Sequence, residues 1–328
     1  MLVHLLVTGA AGFIGSNFVR YWRRRHPADT VVALDALTYA GIRANVPADV
    51  PFVHADIAGA AAVLTDHRID VVVNFAAESH NSRAVQDPGA FFATNVLGTQ
   101  RLLEASRRAG VARFHHISTC EVYGDLALDD PGAFTEESPY RPRTPYNASK
   151  AGADHAVRAY HETFGLPVTI TVCANNYGPR QFPEKVIPLF VTRALRGLPL
   201  PVYRSSANRR EWLHVDDHCA AIDRVLHDGR VGATYHIGSA HEVSVADLAT
   251  TILDRLGLPH TLIESVPDRP GHDRRYLLDS SLIRAELGWT PTIDFTTGLD
   301  QTITWYAENR AWWEPLLDRS AVDETAWA

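Results

Sequence analysis

The segment Gly9-Ala10-Ala11-Gly12-Phe13-Ile14-Gly15 constrains the fold more than any other, because an apolar run, Leu2 to Val7, leads into it and a helical pattern leaves it near Ser16. Three spaced glycines between a strand and a helix open a dinucleotide-binding βαβ unit. Gly9 allows a tight turn, Gly12 lets backbone approach a pyrophosphate, and Gly15 lets the helix pack closely, while the helix N-terminus adds partial positive charge. Asp35 ends the next apolar run, twenty residues after Gly15. A carboxylate there accepts hydrogen bonds from ribose hydroxyls and repels a 2′-phosphate, so NAD is expected rather than NADP.

Further β-branched runs at Val31 to Leu34, Val71 to Phe75, Phe114 to Ile117 and Val168 to Val172 are separated by helix-length stretches. That alternation predicts an α/β fold with a doubly wound parallel Rossmann sheet. The longest helical patterns run from Asp87 to Ala109 and from Tyr146 to Phe164. Beyond Gly178 the spacing changes and prolines crowd in (Pro179, Pro183, Pro188, Pro199, Pro201). An NAD-binding domain over 1–178 and a smaller C-terminal substrate-binding lobe over 179–328, with some segments returning to the first domain, are therefore expected. A chain of 328 residues, 46% of them apolar, can fill both cores.

A net charge of −7 gives no attraction to polyanions, and Arg23-Arg24-Arg25 reads as a solvated helix end, so no nucleic-acid partner is expected. Cys120, Cys173 and Cys219 are odd in number and lack CxxC spacing, which points away from disulfides and a metal site and towards a reducing cytoplasm. No leader pattern and no membrane-length apolar stretch stand in the sequence, so a soluble, unprocessed chain is expected.

Tyr146 and Lys150 share a helix face at i, i+4, a spacing at which an ammonium can lower a phenol's pKa towards that of a usable base. Ser118-Thr119-Cys120-Glu121 follows a buried-looking strand, and ligands collect at the carboxyl ends of such strands. Together with the glycine loop, these residues describe a redox enzyme.

The chain resembles the extended short-chain dehydrogenase/reductases, and within them the dTDP-glucose 4,6-dehydratases, over nearly its whole length. The resemblance is carried by Leu37-Thr38-Tyr39-Ala40-Gly41 after Asp35, Ala76-Ala77-Glu78-Ser79-His80, Asn95-Val96 with Gly98-Thr99, and Asn175-Asn176-Tyr177-Gly178-Pro179. Gln181-Phe182-Pro183-Glu184-Lys185, Arg210-Glu211-Trp212, Asp268 to Asp273, and Trp305-Tyr306 with Trp312-Trp313 continue it. In that family NAD oxidises the glucose C4 hydroxyl, with a tyrosine matching Tyr146 as base and a threonine matching Thr119 on the same oxygen. A glutamate matching Glu121 then removes the C5 proton, an aspartate protonates the departing C6 hydroxyl, and hydride returns to C6.

The resemblance thus implies Thr119, Cys120, Glu121, Tyr146 and Lys150 as the catalytic set. It extends the NAD contacts from Gly9, Gly12, Gly15 and Asp35 to Phe13, Ile14, Leu37, Thr38, Asp56, Ile57, Phe75, Ala76, Ala77, Ser79, Thr94, Tyr146, Lys150 and Asn176. For the nucleotide sugar it implies Ser79, His80, Thr119, Asn175, Arg180, Lys185, Val186, Pro201, Val202, Tyr203, Arg210, Arg269 and His272. It also implies a homodimer joined through the two long helices.

The chain departs from the family at several points. Cys120 replaces the proton-donating aspartate, the family's Val-Asp-Arg becomes Asn81-Ser82-Arg83, and its Gly-Pro-Tyr-Gln becomes Gly178-Pro179-Arg180-Gln181. A thiol is a weak hydrogen-bond donor and a poor match for protonating a hydroxyl. Four outcomes share the first oxidation: 4,6-dehydration of a dTDP-hexose with Cys120 or water as donor, 5,6-dehydration to an exocyclic alkene, C4 epimerisation, and decarboxylation of a glucuronate held by Arg180. A non-catalytic nucleotide-sugar sensor is the alternative of a different class.

Overall fold

In a computed structural model that describes residues 3–268 and 271–320, the apolar runs become strands of mixed length. Among the described residues these are β1 (His4–Thr8), β2 (Thr30–Asp35), β3 (Phe52–His54), β4 (Val71–Asn74), β5 (Arg113–Thr119), β6 (Val168–Cys173), β7 (Asn175–Tyr177), β8 (Leu200–Tyr203), β9 (Arg209–His214), β10 (Thr234–Ile237), β11 (Glu242–Ser244) and β12 (Ile263–Val266). Seven of them form one parallel sheet in the order β10-β6-β5-β4-β1-β2-β3. Leu5, Leu6, Val7, Val32, Ala33, Val72 and Val73 are wholly buried, as a sheet covered by helices on both faces requires. The strand order reverses on either side of β1, which opens a crevice beyond the carboxyl ends of β1 and β4.

Two strands of this sheet had no clear sequence signal. β3 is three residues long, too short to show a period. β10 lies far along the chain yet pairs with β6, Tyr235 opposite Thr171. The helix Val215–Asp228 follows the same route: its Cys219, Ile222 and Val225 lie in the core beneath the sheet, together with Tyr276, Ile283 and Trp289. A second core gathers Tyr177, Ile187, Phe190, Leu200, Trp212, Leu248, Ile252, Tyr306 and Trp313. The chain therefore passes between the two cores more than once beyond residue 178.

The helix Pro145–Phe164 has well-formed ends. Thr144 caps it by accepting the Asn147 N–H at 3.2 Å, Pro145 occupies its first turn, and Gly165 closes it at φ 69°. The other long pattern, Asp87 to Ala109, is not one regular helix. It comprises Pro88–Phe91, a π-helical stretch Phe92–Gly98, and Thr99–Ala109. Asn95 accounts for the widened turns: its amide donates to Ser149 Oγ at 2.8 Å and to the Glu78 carbonyl at 3.0 Å, and its oxygen accepts the Glu78 N–H at 2.9 Å. Such bulges recur at functional sites, and here one ties the loop after β4 to the long helix.

Candidate active site

The crevice at the strand-order reversal is a cleft of ≈ 320 Å³. One wall is the glycine loop. Gly9 adopts φ +63°, and a side chain there would put its Cβ 2.7 Å from the Ala76 nitrogen, so the turn can lie against β4 only as glycine. The helix Phe13–Arg25 begins with no side-chain cap and no acid in its first turn, which leaves its N–H groups and positive end to a bound anion. Asp35 at the end of β2 is held by the Ala11 N–H at 2.8 Å and the Leu37 N–H at 2.7 Å. These features fit an NAD-type dinucleotide, with pyrophosphate at the helix end and ribose at Asp35.

All but one of the expected cofactor residues line this cleft: Gly9, Gly12, Phe13, Ile14, Gly15, Asp35, Thr38, Asp56, Ile57, Phe75, Ala76, Ala77, Ser79, Thr94, Tyr146, Lys150 and Asn176. The exception is Leu37, which turns the chain at φ +53° beside Asp35 and does not line the cleft. The rim is reinforced from the far end of the chain. Arg319 donates to the Thr38 carbonyl at 3.2 Å, and its own carbonyl accepts from Arg83 at 3.0 Å.

Thr119, Glu121, Tyr146 and Lys150 meet at the inner end of the cleft. Burial pushes the Tyr146 phenol well above its ordinary pKa, Glu121 adds to that, and a hydrogen bond with Thr119 pulls the other way. Lys150 was expected to counter this rise, but in the structure its ammonium donates to the Ile117 carbonyl at 2.7 Å and sits 3.2 Å from His116 Nε2. Burial lowers the Lys150 pKa, and the Asp154 carboxylate opposes that.

Asp154 is the hub of a buried network beneath these groups. It accepts from Ser118 at 2.6 Å and from Tyr140 at 2.8 Å, and lies 3.4 Å from His116. Burial and the Lys150 charge push the His116 pKa down to about 4.

Cys120 stands apart from the cleft lining. It is 2% exposed and packs with the core beneath the sheet. Burial, then Glu121, raises its thiol well above the ordinary range, which weakens it further as an acid.

The expected sugar-nucleotide residues divide. Ser79, Thr119, Asn175 and Lys185 line the cleft, and Lys185 Nζ donates to the Ser79 carbonyl at 2.8 Å. His272 lines a second, more open hollow with Tyr123, Asp125, Arg141, Arg143 and Arg274. His80, Val186, Pro201, Val202 and Tyr203 line neither, although Tyr203 stacks edge-on against His272 at 5.2 Å. Arg210 spends its guanidinium on the main-chain carbonyls of Arg209, Asp273 and Arg274 at 2.8–3.2 Å. Arg269 lies outside the described residues.

Arg180 is the plainest correction. It stands at φ +68° outside the cleft lining, donates to Asn17 Oδ1 at 3.3 Å, and lies over the Trp305 ring. A carboxylate-recognising role for it has no support in this geometry. Residues that reasoning from sequence left unassigned, Tyr39, Glu78, Gln181, Phe182 and Glu184, also line the cleft. Their signal was the run of matched motifs in which they sit.

Comparison with known proteins agrees with the geometry. Residues 6–302 match the family model described as GDP-mannose 4,6 dehydratase. A dTDP-glucose 4,6-dehydratase of Streptomyces antibioticus is 51% identical over 329 residues, 97% of each chain. A crystal structure of the Streptomyces venezuelae dTDP-glucose 4,6-dehydratase with NAD and dTDP bound has a TM-score of 0.92 at 51% identity, covering 96% of this chain and 100% of that one. The chain belongs to the dTDP-glucose 4,6-dehydratase family.

Two of the departures from the family pattern flank Glu121: Cys120 by sequence and Asn81 by contact. Cys120 is absent from the cleft lining beside Glu121, and Asn81 donates to Glu121, Nδ2 to Oε2 at 2.8 Å. Elsewhere among the described residues, His26, Asp223 and His227 come together with metal-ligand chemistry. They are satisfied among themselves: His26 and His227 each lie 2.9 Å from Asp223 Oδ1, and Tyr21 donates to the other oxygen at 2.9 Å. The three cysteines are free and buried. No helix of the described residues is long and apolar enough to cross a membrane.

Proposed function

We infer that this chain is an NAD-dependent dTDP-glucose 4,6-dehydratase. The observation that carries the reading is the convergence of Thr119, Glu121, Tyr146 and Lys150 on the cleft built by the glycine loop and Asp35, in a chain 51% identical to curated enzymes of that activity. Bound NAD supplies reversible oxidation at C4 and reduction at C6.

The protein's own groups handle the protons. Thr119 and Tyr146 hold the C4 oxygen, and Tyr146 takes its proton as the phenolate, a form that the Thr119 hydrogen bond favours and the positive charge of bound NAD would favour further. Once C4 is a ketone the C5 proton is acidic, and the Glu121 carboxylate removes it. Glu121 then hands that proton to the departing C6 oxygen, so loss of water balances without an acid at position 120, and it takes up a solvent proton to return to C5 when C6 is reduced. Lys150, seated on Ile117 and the His116–Asp154 network, fixes a positive charge at the inner end of the cleft. Ser79, Asn175 and Lys185 are assigned to the sugar nucleotide, with the hollow around Arg143, His272 and Arg274 as the neighbouring anion-attracting surface.

Incubation with dTDP-glucose tests this. The wild type and Cys120→Ser should both give the 4-keto-6-deoxy sugar, seen as loss of one water and a new methyl doublet in the proton spectrum, at rates within about threefold of each other. A product with an exocyclic alkene, or no product, overturns the assignment. A hundredfold loss in Cys120→Ser would return the thiol to the mechanism.

We also propose that the chain pairs with a second copy through the segments 87–109 and 145–164, where Phe92 (42%), Leu97 (58%) and Phe164 (53%) stand exposed. Light scattering should give twice the 36.2 kDa chain mass. A mass of one chain would remove the dimer. Three buried free thiols suit the reducing cytoplasm to which we assign the enzyme.

A further inference from the structure

We propose that Asn81 is a positioning residue for Glu121, a device of this chain at a place where the family pattern carries valine. The inference rests on the dehydratase reading above and extends it to the aim of the C5 base. Three hydrogen bonds run in one direction. The Asn147 N–H in the first turn of the catalytic helix donates to Thr144 Oγ1 at 3.2 Å, the Thr144 hydroxyl donates to Asn81 Oδ1 at 2.7 Å, and Asn81 Nδ2 donates to Glu121 Oε2 at 2.8 Å.

Each link fixes the next. Because Thr144 Oγ1 accepts the helix N–H as its cap, its own proton points outward, which sets the Asn81 amide with its oxygen towards Thr144 and its NH₂ towards Glu121. The amide can donate to the carboxylate but cannot take a proton from it at neutral pH.

The consequence is chemical as well as geometric. With Oε2 held by a neutral donor, the plane of the Glu121 carboxylate is set before it collects the C5 proton and hands it to the C6 oxygen. The series passes through Thr144, two residues before Tyr146 on the same backbone, so the C4 base and the C5 base are set to one another through it. Valine at position 81 offers no such bond. The restraint appears in a protein whose neighbouring residue, Cys120, is buried outside the cleft lining, where its thiol is not presented to the sugar.

The test uses full-length enzyme loaded with NAD, given dTDP-glucose in D₂O, comparing wild type with Asn81→Val and Asn81→Asp. Two signals are followed: absorbance of the reduced nicotinamide, which reports C4 oxidation, and deuterium at C5 of the sugar, which reports Glu121. In Asn81→Val we expect reduced cofactor to build up at the normal initial rate, while C5 exchange and kcat fall on the order of 10- to 100-fold, with KM within about twofold. Asn81→Asp, which replaces the donor with a like charge, should be slower still. Melting temperatures of the variants control for folding.

Wild-type rates of both steps in both variants would overturn the inference. So would parallel loss of oxidation and exchange, which marks a merely structural residue. Failure of the wild type itself to dehydrate dTDP-glucose would instead overturn the functional reading, and is told apart by that first measurement.

Discussion

Tyr146→Phe is expected to abolish turnover, with kcat lower by on the order of 10³- to 10⁴-fold, the contribution typical of a positioned proton acceptor. The loss should be complete in kind, because oxidation at C4 precedes every later step. The ring is not what is removed. It packs edge-on to Phe91 at 6.2 Å and remains in phenylalanine, so the fold should lose only the hydroxyl's bond to Thr119, about 1 kcal/mol. Reduced nicotinamide should therefore fail to appear at all, the opposite of the build-up expected for Asn81→Val. A Tyr146→Phe enzyme that still oxidises the sugar would sink the assignment of the base.

Gly15→Ala should have a smaller but still large effect, on cofactor binding. An alanine Cβ there would lie inside contact distance of the Gly9 carbonyl oxygen and 3.0 Å from the Gly9 carbonyl carbon. The same oxygen already accepts the Gly12 N–H at 3.1 Å, so relief requires opening the turn that faces the pyrophosphate. We expect NAD affinity to fall on the order of 100-fold, about 2.7 kcal/mol, by calorimetric titration. Stability without cofactor should drop by about 2 kcal/mol in denaturant melts. Wild-type NAD affinity in the variant would show that the glycine loop is not the cofactor cradle.

Much of this was legible in the sequence because it depends on local rules. A strand, three glycines and a helix fix a turn within seven residues, and i, i+4 spacing puts Tyr146 and Lys150 on one helical face whatever the rest of the chain does. What could not be read depends on partners distant along the chain. β10 has a short apolar pattern like many others, and only its pairing with β6 makes it part of the sheet.

Side-chain direction was the second blind spot. Cys120 and Arg180 occupy positions whose family counterparts suggest a place at the sugar, yet one turned into the core and the other towards Asn17 and Trp305. A change of residue type alters where a side chain is most stable: a thiol gains from burial, and a guanidinium gains from an amide oxygen and an indole face. Asn81 is the converse case. As one letter among several substitutions it carried no message, and its meaning emerged only once Thr144 and Glu121 lay on either side of it.

The contacts of Arg319 have a consequence for cofactor traffic. Residue 319 clasps the lip beside Asp35 from the opposite end of the polypeptide, held on one side by Thr38 and on the other by Arg83. A dinucleotide leaving by that lip would first have to part these two bonds. A catalyst whose redox partner ends each round as it began has no need to exchange it, so a slow gate of this kind costs nothing in throughput and keeps the half-finished ketone and its electrons in the same chamber.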